Sequence, residues 1–281
     1  MRTVEASLKA AIHSLISDTA TLDAQILLAH VLNISRASLY THPERVLTAS
    51  EQGKFDKLIH QRQEGVPIAY LTGEREFWSL SLSVSPATLI PRPETELLVQ
   101  AVLDQVKKED ACVLDLGTGS GAIALALSTE RPRWRITAVD RSIEALAIAQ
   151  KNAQALSLKN ITFQQSDWFS TIPSRCFDVI VSNPPYIAQG RPELLEGDVA
   201  YEPREALVSG EAGLDDLKKI IFKSKCYLVE SGWLFLEHGH DQGAAVDALL
   251  EGAGFTQRVC LFDHNGHPRV TLGQINREKL C

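Results

Sequence analysis

The chain has 281 residues, 44% hydrophobic and 22% charged, ordinary globular values that exclude fibrous and disordered classes. No apolar run reaches the ~18 residues that span a bilayer, and the first apolar residues are spaced helically around Glu5, Lys9 and His13, so a soluble, unexported, cytoplasmic protein is expected. The formal net charge of -7 arises wholly beyond residue 75, and no basic cluster is present to hold nucleic acid phosphates.

Residues 1–73 read as a small helical domain. Val4, Leu8, Ala11, Ile12 and Leu15 keep a 3.6-residue spacing, as do Leu22, Ile26, Ala29 and Leu32, then Phe55, Leu58 and Ile59. Asp18 and Ser50 are the expected helix starts. With few chemically active side chains, this unit reads as a packing or docking module. Period two takes over from Phe77 to Val84, so residues 74–90 read as a hairpin linker and 91–281 as a second domain. Pro93 is expected in the first turn of a helix whose apolar face is Leu97, Leu98, Ala101 and Val102.

From Cys112 the pattern alternates strand and helix. Cys112–Leu116, Arg135–Val139, Ile161–Gln164, Val179–Ser182 and Trp233–Glu237 read as strands, with helices at Ala122–Leu127 and Ile143–Leu156. Such alternation implies a mostly parallel α/β sheet with helices on both faces. Gln257–Phe262 and Arg269–Leu272 form an expected closing hairpin around Asn265-Gly266. The five cysteines, Cys112, Cys176, Cys226, Cys260 and Cys281, contain no CxxC pair, which favours free thiols and no zinc site. His238 and His240 lack a third ligand and read as a polar strand-end turn. Lys218, Lys219, Lys223 and Lys225 read as a solvated helix face.

Asp115-Leu116-Gly117-Thr118-Gly119-Ser120-Gly121 falls between a strand and a helix, where open α/β sheets bind ligands. Glycines let the chain turn sharply and leave room for a ligand against the main chain. The turn alone admits two cofactors. Gly117, Gly119 and Ala122 satisfy a loose dinucleotide fingerprint with Asp140 as the ribose acid, and an S-adenosylmethionine turn would use the same aspartate for both ribose hydroxyls.

Ser182-Asn183-Pro184-Pro185-Tyr186 ends the fourth strand. Two prolines cannot continue a central strand, because neither has an N–H to donate. Each also holds the residue before it extended, which frees the Asn183 and Pro184 carbonyls for another partner. Asn183 adds a side-chain acceptor, and Tyr186 a flat ring.

These two motifs resemble those of S-adenosylmethionine-dependent methyltransferases that act on planar amide or amino nitrogens. Along its whole length the chain is similar to the peptide chain release factor N5-glutamine methyltransferases, the HemK or PrmC type. Ile90-Pro91-Arg92-Pro93-Glu94-Thr95-Glu96, Ser166-Asp167-Trp168, Gly197-Asp198-Val199 and Glu202-Pro203 carry that likeness. It implies a Rossmann-like sheet with an antiparallel closing strand and a helical N-terminal domain. It also implies a monomer whose substrate is the glutamine of a Gly-Gly-Gln loop in class I release factors. Gly117, Thr118, Gly119, Ser120, Gly121, Asp140, Asp167, Trp168 and Asn183 would hold the cofactor, with Trp168 flanking the adenine. Asn183, Pro184, Pro185 and Tyr186 would hold the substrate, and Asn183, Pro184 and Tyr186 would serve the reaction.

Three other readings are weighed against this one. Ribosomal-protein glutamine methyltransferases are similar in order, but the Pro-Glu-Thr-Glu run favours the release factor branch. Adenine-N6 DNA methyltransferases share Asn-Pro-Pro-Tyr, yet the acids at Glu193, Glu196, Asp198, Glu202, Glu205 and Glu211 form an acidic lip that would repel phosphates. A dinucleotide-dependent dehydrogenase leaves Asn183 to Tyr186 without a role.

Overall fold

The computed structural model describes residues 2–174 and 177–276, which fall into two compact units. The smaller is Met1–Glu74 with Leu195–Tyr201, and the larger is Arg75–Leu194 with Glu202–Cys281. Cys112, Cys226 and Cys260 are free thiols, whereas Cys176 and Cys281 lie outside the described residues. Among the described residues no helix is long and apolar enough to cross a membrane.

In the smaller unit, α1 (Val4–Ser14), α2 (Ala20–Leu32), α3 (Ser38–Thr41), α4 (Ala49–Gln63) and α5 (Ile68–Thr72) enclose a core of Ala24, Leu27, Leu28, Leu47 and Phe55. Two helix starts differ from expectation. Thr48, not Ser50, caps α4: its hydroxyl accepts from Glu51 N at 3.2 Å, while Glu51 Oε2 accepts from Thr48 N at 2.8 Å. Ser50 already lies in the first turn. Thr19, not Asp18, precedes α2, and Leu22 on that helix is 42% exposed rather than facing the core. Leu195–Tyr201 packs with these helices through Arg62, which pairs with Asp23 at 2.8 Å and Asp198 at 3.5 Å. The Tyr201 hydroxyl also donates to the Glu64 carbonyl.

The larger unit begins with a hairpin of β1 (Glu74–Phe77) and β2 (Leu80–Ser83). Trp78 and Ser79 form its turn with φ of +52° and +58°, the left-handed pair that matches strand twist. Phe77 and Leu82 are buried in this unit's own core, so the hairpin belongs with the sheet. α6 (Thr95–Gln105) starts two residues after Pro93, because Glu94 holds the capping position.

The sheet comprises β3 (Cys112–Leu116), β4 (Arg135–Asp140), β5 (Ile161–Gln165), β6 (Phe177–Ser182), β7 (Leu228–Glu237), β8 (Phe255–Phe262) and β9 (Pro268–Ile275). Their order is β5-β4-β3-β6-β7-β9-β8. The first five are parallel, and β9 runs antiparallel between β7 and β8. Alternation along each strand sorts the two cores. Val113, Ala138 and Val181 face the layer of α6 and α7 (Ala122–Glu130), whereas Leu114, Val139 and Ile180 face α9 (Asp215–Ser224) and α10 (Gly243–Gly252). On α9, Leu217, Ile220 and Ile221 are buried and Lys218, Lys219 and Lys223 are exposed. The closing hairpin turns at Asn265-Gly266, where Gly266 has φ of +77°. The final helix-and-strand step of a dinucleotide sheet is thereby replaced by an antiparallel return.

Candidate active site

At the carboxyl ends of β3, β4 and β6 lies a cavity of about 410 Å³. Gly117, Thr118, Gly119, Ser120, Asp140, Asp167, Trp168, Asn183 and Pro185 line it, whereas Gly121, Pro184 and Tyr186 do not.

Main chain forms one wall. The N–H groups of Gly117 and Thr118 both donate to the Val139 carbonyl at 2.9 Å, which ties the turn to the end of β4. Asp140 is aimed by two backbone donors, Gly119 N onto Oδ2 and Ser142 N onto Oδ1, each at 2.9 Å. Each carboxylate oxygen keeps lone-pair capacity for a further donor. Gly119 has φ of +56°, and a Cβ built there meets nothing within 4 Å. The main chain therefore leaves open space at Gly119, beside the Asp140 carboxylate that its N–H meets. Gly121 is different. A Cβ there would lie 3.0 Å from Leu125 Cδ1 and 3.2 Å from Ala149 Cβ, so its bareness serves helix packing. Trp168, held at φ of +51°, stacks near Gly117, with Cζ3 3.4 Å from where a Cβ would sit. Asp167 is exposed.

Below this wall, Asp115 is fully buried and its Oδ2 accepts from the Thr118 hydroxyl at 2.6 Å. Burial pushes its carboxyl up to about 7.

Side chains distant in sequence build the opposite wall. The Ser182 hydroxyl donates to the Leu116 carbonyl at 2.7 Å, which fixes the strand ends side by side. Asn183 Nδ2 donates to the Thr95 hydroxyl at 3.2 Å. Thr95 in turn faces the Glu237 carboxyl, and the Tyr186 hydroxyl donates to Glu237 Oε1 at 3.3 Å. Glu237 is 1% exposed, and burial raises its pKa to about 7. Burial, with Glu237 next to it, likewise drives the Tyr186 phenol upward. Gln242 Nε2 donates to the Tyr186 carbonyl at 3.0 Å and the Gly213 carbonyl at 3.2 Å, which pins the chain beyond the prolines. The Tyr186 ring thus packs on the sheet core rather than lining the cavity.

Two acids of the expected lip beside the cavity are paired. Glu202, buried, accepts from Ile90 N at 2.9 Å and pairs with Arg92, and Glu205 pairs with Arg141 at 2.8 Å. His238 is buried, with Nδ1 2.9 Å from the Gly239 carbonyl and Nε2 2.8 Å from the Thr271 hydroxyl. Lys219, on the face expected to be solvated, reaches the cavity rim beside Asp216.

Sequence reasoning missed Thr95, Glu237 and Gln242 as parts of the site. Thr95 lay within the quoted Pro-Glu-Thr-Glu run, and Glu237 ended an apolar strand just as Asp140 does, so a strand-end acid was the available signal.

A parallel sheet closed by one antiparallel strand, with a nucleoside-sized cavity at its switch point, defines the methyltransferase class of α/β enzyme. A solved methyltransferase from Pyrococcus furiosus has the same fold, at TM-score 0.54 and 15% identity over 82% of this chain and all of that one. Family models match residues 2–73 as a PrmC N-terminal domain and 93–202 as a methyltransferase small domain. The release factor glutamine methyltransferase of Pseudomonas aeruginosa is 50% identical over 92% of this chain and 94% of its own length. That of Vibrio cholerae is 47% identical over 99% and 98%. The chain belongs to the release factor glutamine methyltransferase family.

Proposed function

We propose that the protein transfers a methyl group to the side-chain N5 of the glutamine in the Gly-Gly-Gln loop of class I release factors. The observation that supports this reading is that Asn183 and Asp140 line one cavity. S-adenosylmethionine bound there supplies a methyl group carried on a positively charged sulfur, and S-adenosylhomocysteine is the by-product. Asp140 would accept from its ribose hydroxyls, Gly119 leaves the space, and Trp168 and Asp167 would hold the adenine.

A carboxamide nitrogen is a poor nucleophile, since its lone pair is delocalised into the carbonyl. Asn183 Oδ1 accepts one of its two N–H groups, which orients N5 and favours the positive charge it acquires as the new C–N bond forms; Pro184 lies outside the cavity lining, and its carbonyl would have to be reached for the second. N5 gains one methyl and releases one proton to solvent. Acceptors fixed in place act mainly on the transition state, and orientation alone can contribute up to ~7–11 kcal/mol. Pro185 borders the substrate amide, while Tyr186 supports the loop from beneath. Residues 1–73 dock the body of the release factor. The enzyme acts as a monomer in the cytoplasm and contacts no nucleic acid directly.

Incubation with S-adenosylmethionine and purified release factor, followed by peptide mass spectrometry, tests this reading. A single methyl on the Gly-Gly-Gln glutamine is the expected result; a methyl on a ribosomal protein or on DNA adenine, with the release factor untouched, overturns it.

A further inference from the structure

Two segments from separate parts of the chain reach the same cavity. Gly119 and Ser120 of the glycine turn line it, and so do Ala87, Thr88 and Leu89, which follow the hairpin. The hairpin forms a sheet of its own, so among the described residues no strand ladder ties it to the seven-stranded sheet. Another contact has to hold the two segments in register.

Asn152 makes that contact. It lies on α8 (Ile143–Ala155) and is 2% exposed. Its Oδ1 accepts from Ser83 N at 2.8 Å, while its Nδ2 donates to the Ser83 carbonyl at 3.0 Å and to the Ser120 carbonyl at 2.9 Å. The two bonds to Ser83 copy the exchange of N–H and C=O between facing strand residues, here at the last residue of β2. The third bond reaches the glycine turn. Ser120 precedes the capping residue Gly121, whose own carbonyl accepts from Leu125 N at 2.8 Å. The Ser120 carbonyl therefore stands outside the ladder of α7, and once buried it requires a donor from elsewhere.

Main-chain partners fix the direction of this amide. An N–H can only donate and a carbonyl can only accept, so Oδ1 faces Ser83 N and Nδ2 faces the two carbonyls. The site uses one acceptor and two donors on a short stem, which is the inventory of asparagine. An ionised aspartate offers no donor, and glutamine is one methylene longer. Asparagine is also disfavoured inside a helix relative to alanine, a cost that a tertiary task offsets. On the hairpin side a tight turn carries the placement onward: Thr88 N donates to the Ser85 carbonyl at 2.9 Å, and Thr88 is 1% exposed.

We propose that Asn152 is a positioning residue for the cofactor site, a clamp that holds the glycine turn and the Ala87–Leu89 segment at a fixed separation. Asn152 itself does not line the cavity. The clamp concerns cofactor binding and stands whichever protein is methylated.

Calorimetry with S-adenosylhomocysteine and thermal unfolding test the clamp on Asn152→Asp, Asn152→Ala and Leu250→Ala. The last is a core truncation on α10, outside the cavity lining. Asn152→Asp keeps the shape and loses both donated bonds. Each substitution at 152 should raise the S-adenosylhomocysteine Kd about tenfold, the equivalent of one hydrogen bond lost when the turn is displaced. Leu250→Ala should lower the unfolding midpoint and keep the wild-type Kd, which separates positioning from general stability. In methylation assays the S-adenosylmethionine KM should rise with the Kd, while kcat at saturating cofactor stays within a few-fold of wild type. Wild-type Kd in the Asn152 variants overturns the clamp, as does an equal loss of affinity in Leu250→Ala. If neither Asn152 variant folds, hydrogen exchange in the wild-type protein decides. Ser83 N–H lies outside the cavity lining and is held by Asn152, so S-adenosylhomocysteine should slow its exchange more than it slows amides of β9. Slowing no greater than that on β9 overturns the clamp.

Discussion

The two walls of the cavity are built on opposite plans. The glycine wall is local and made of main chain: Asp115 reaches Thr118 three residues on, and Asp140 is aimed by its own neighbour Ser142 and by Gly119. The Asn183 wall is made of side chains gathered from afar, with Thr95 88 residues from Asn183 and Tyr186 51 from Glu237. A binding surface that must suit a constant cofactor can be written into one stretch of chain. The surroundings of a reacting nitrogen draw here on groups that only tertiary packing brings together.

That contrast separates binding from turnover. Asn183→Ala should lower kcat by about 100- to 1000-fold, as loss of one fixed electrostatic group does in comparable sites, with S-adenosylhomocysteine affinity nearly intact. Asp140→Ala should do the reverse, weakening S-adenosylhomocysteine by ~1.5–3 kcal/mol for each hydrogen bond lost to the charged group. Calorimetry and steady-state rates on the same two proteins check both expectations. If Asn183→Ala instead abolished cofactor binding, the walls would not be functionally separate.

The same difference governs what could be read from the sequence. The glycine turn, Asp140 and the Asn-Pro-Pro-Tyr segment were legible because each is a contiguous pattern with its own backbone logic. Thr95 and Glu237 were not, because a threonine in a helix's first turn and a glutamate after an apolar strand acquire meaning only when α6 packs across β7. The parallel α/β character of the sheet and its closing hairpin were legible, whereas the strand order came only from the structure. The packing of Leu195–Tyr201 with the helical unit was hidden for the same reason as Thr95, since it depends on distant ion pairs of Arg62.

Each wall nevertheless hides one buried acid. Asp115 rises from 3.8 to about 7, and Glu237 from 4.5 to about 7, both chiefly through burial. At these two sites the folded protein therefore binds more protons than the unfolded chain between about pH 4 and 7, and their contribution to stability falls as pH rises through that window, opposed in part by His238, whose pKa burial lowers. At 1.36 kcal/mol per pH unit each acid accounts for about 3–4 kcal/mol of that fall. Thermal unfolding from pH 5 to pH 8 should show the midpoint dropping. Glu237→Gln should flatten the slope by its own share and leave the part due to Asp115. A midpoint that climbs across this range would mean that one or both acids are better solvated than their burial indicates.

The finest division lies within the glycine wall itself, between two residues two positions apart. Gly119 and Gly121 both have positive φ, at +56° and +89°, so alanine at either position carries backbone strain of ~1–2 kcal/mol. Their surroundings then diverge. A methyl at 119 enters open space in the cavity, whereas one at 121 meets Leu125 at 3.0 Å and Ala149 at 3.2 Å. Overpacking of that kind costs a further ~1–3 kcal/mol. Gly121→Ala should therefore unfold at a lower temperature than Gly119→Ala, while Gly119→Ala should lose more affinity for S-adenosylhomocysteine, because its methyl occupies cofactor space. Thermal unfolding and calorimetry on the pair make the comparison free of differences in chain length or charge. Equal stability losses would mean that Leu125 and the α8 helix (Ile143–Ala155), which carries Ala149, yield without penalty. Equal affinity losses would mean that the cavity space at Gly119 is not where the cofactor lies, and the assignment of the glycine wall to binding would have to move toward Trp168 and Asp167.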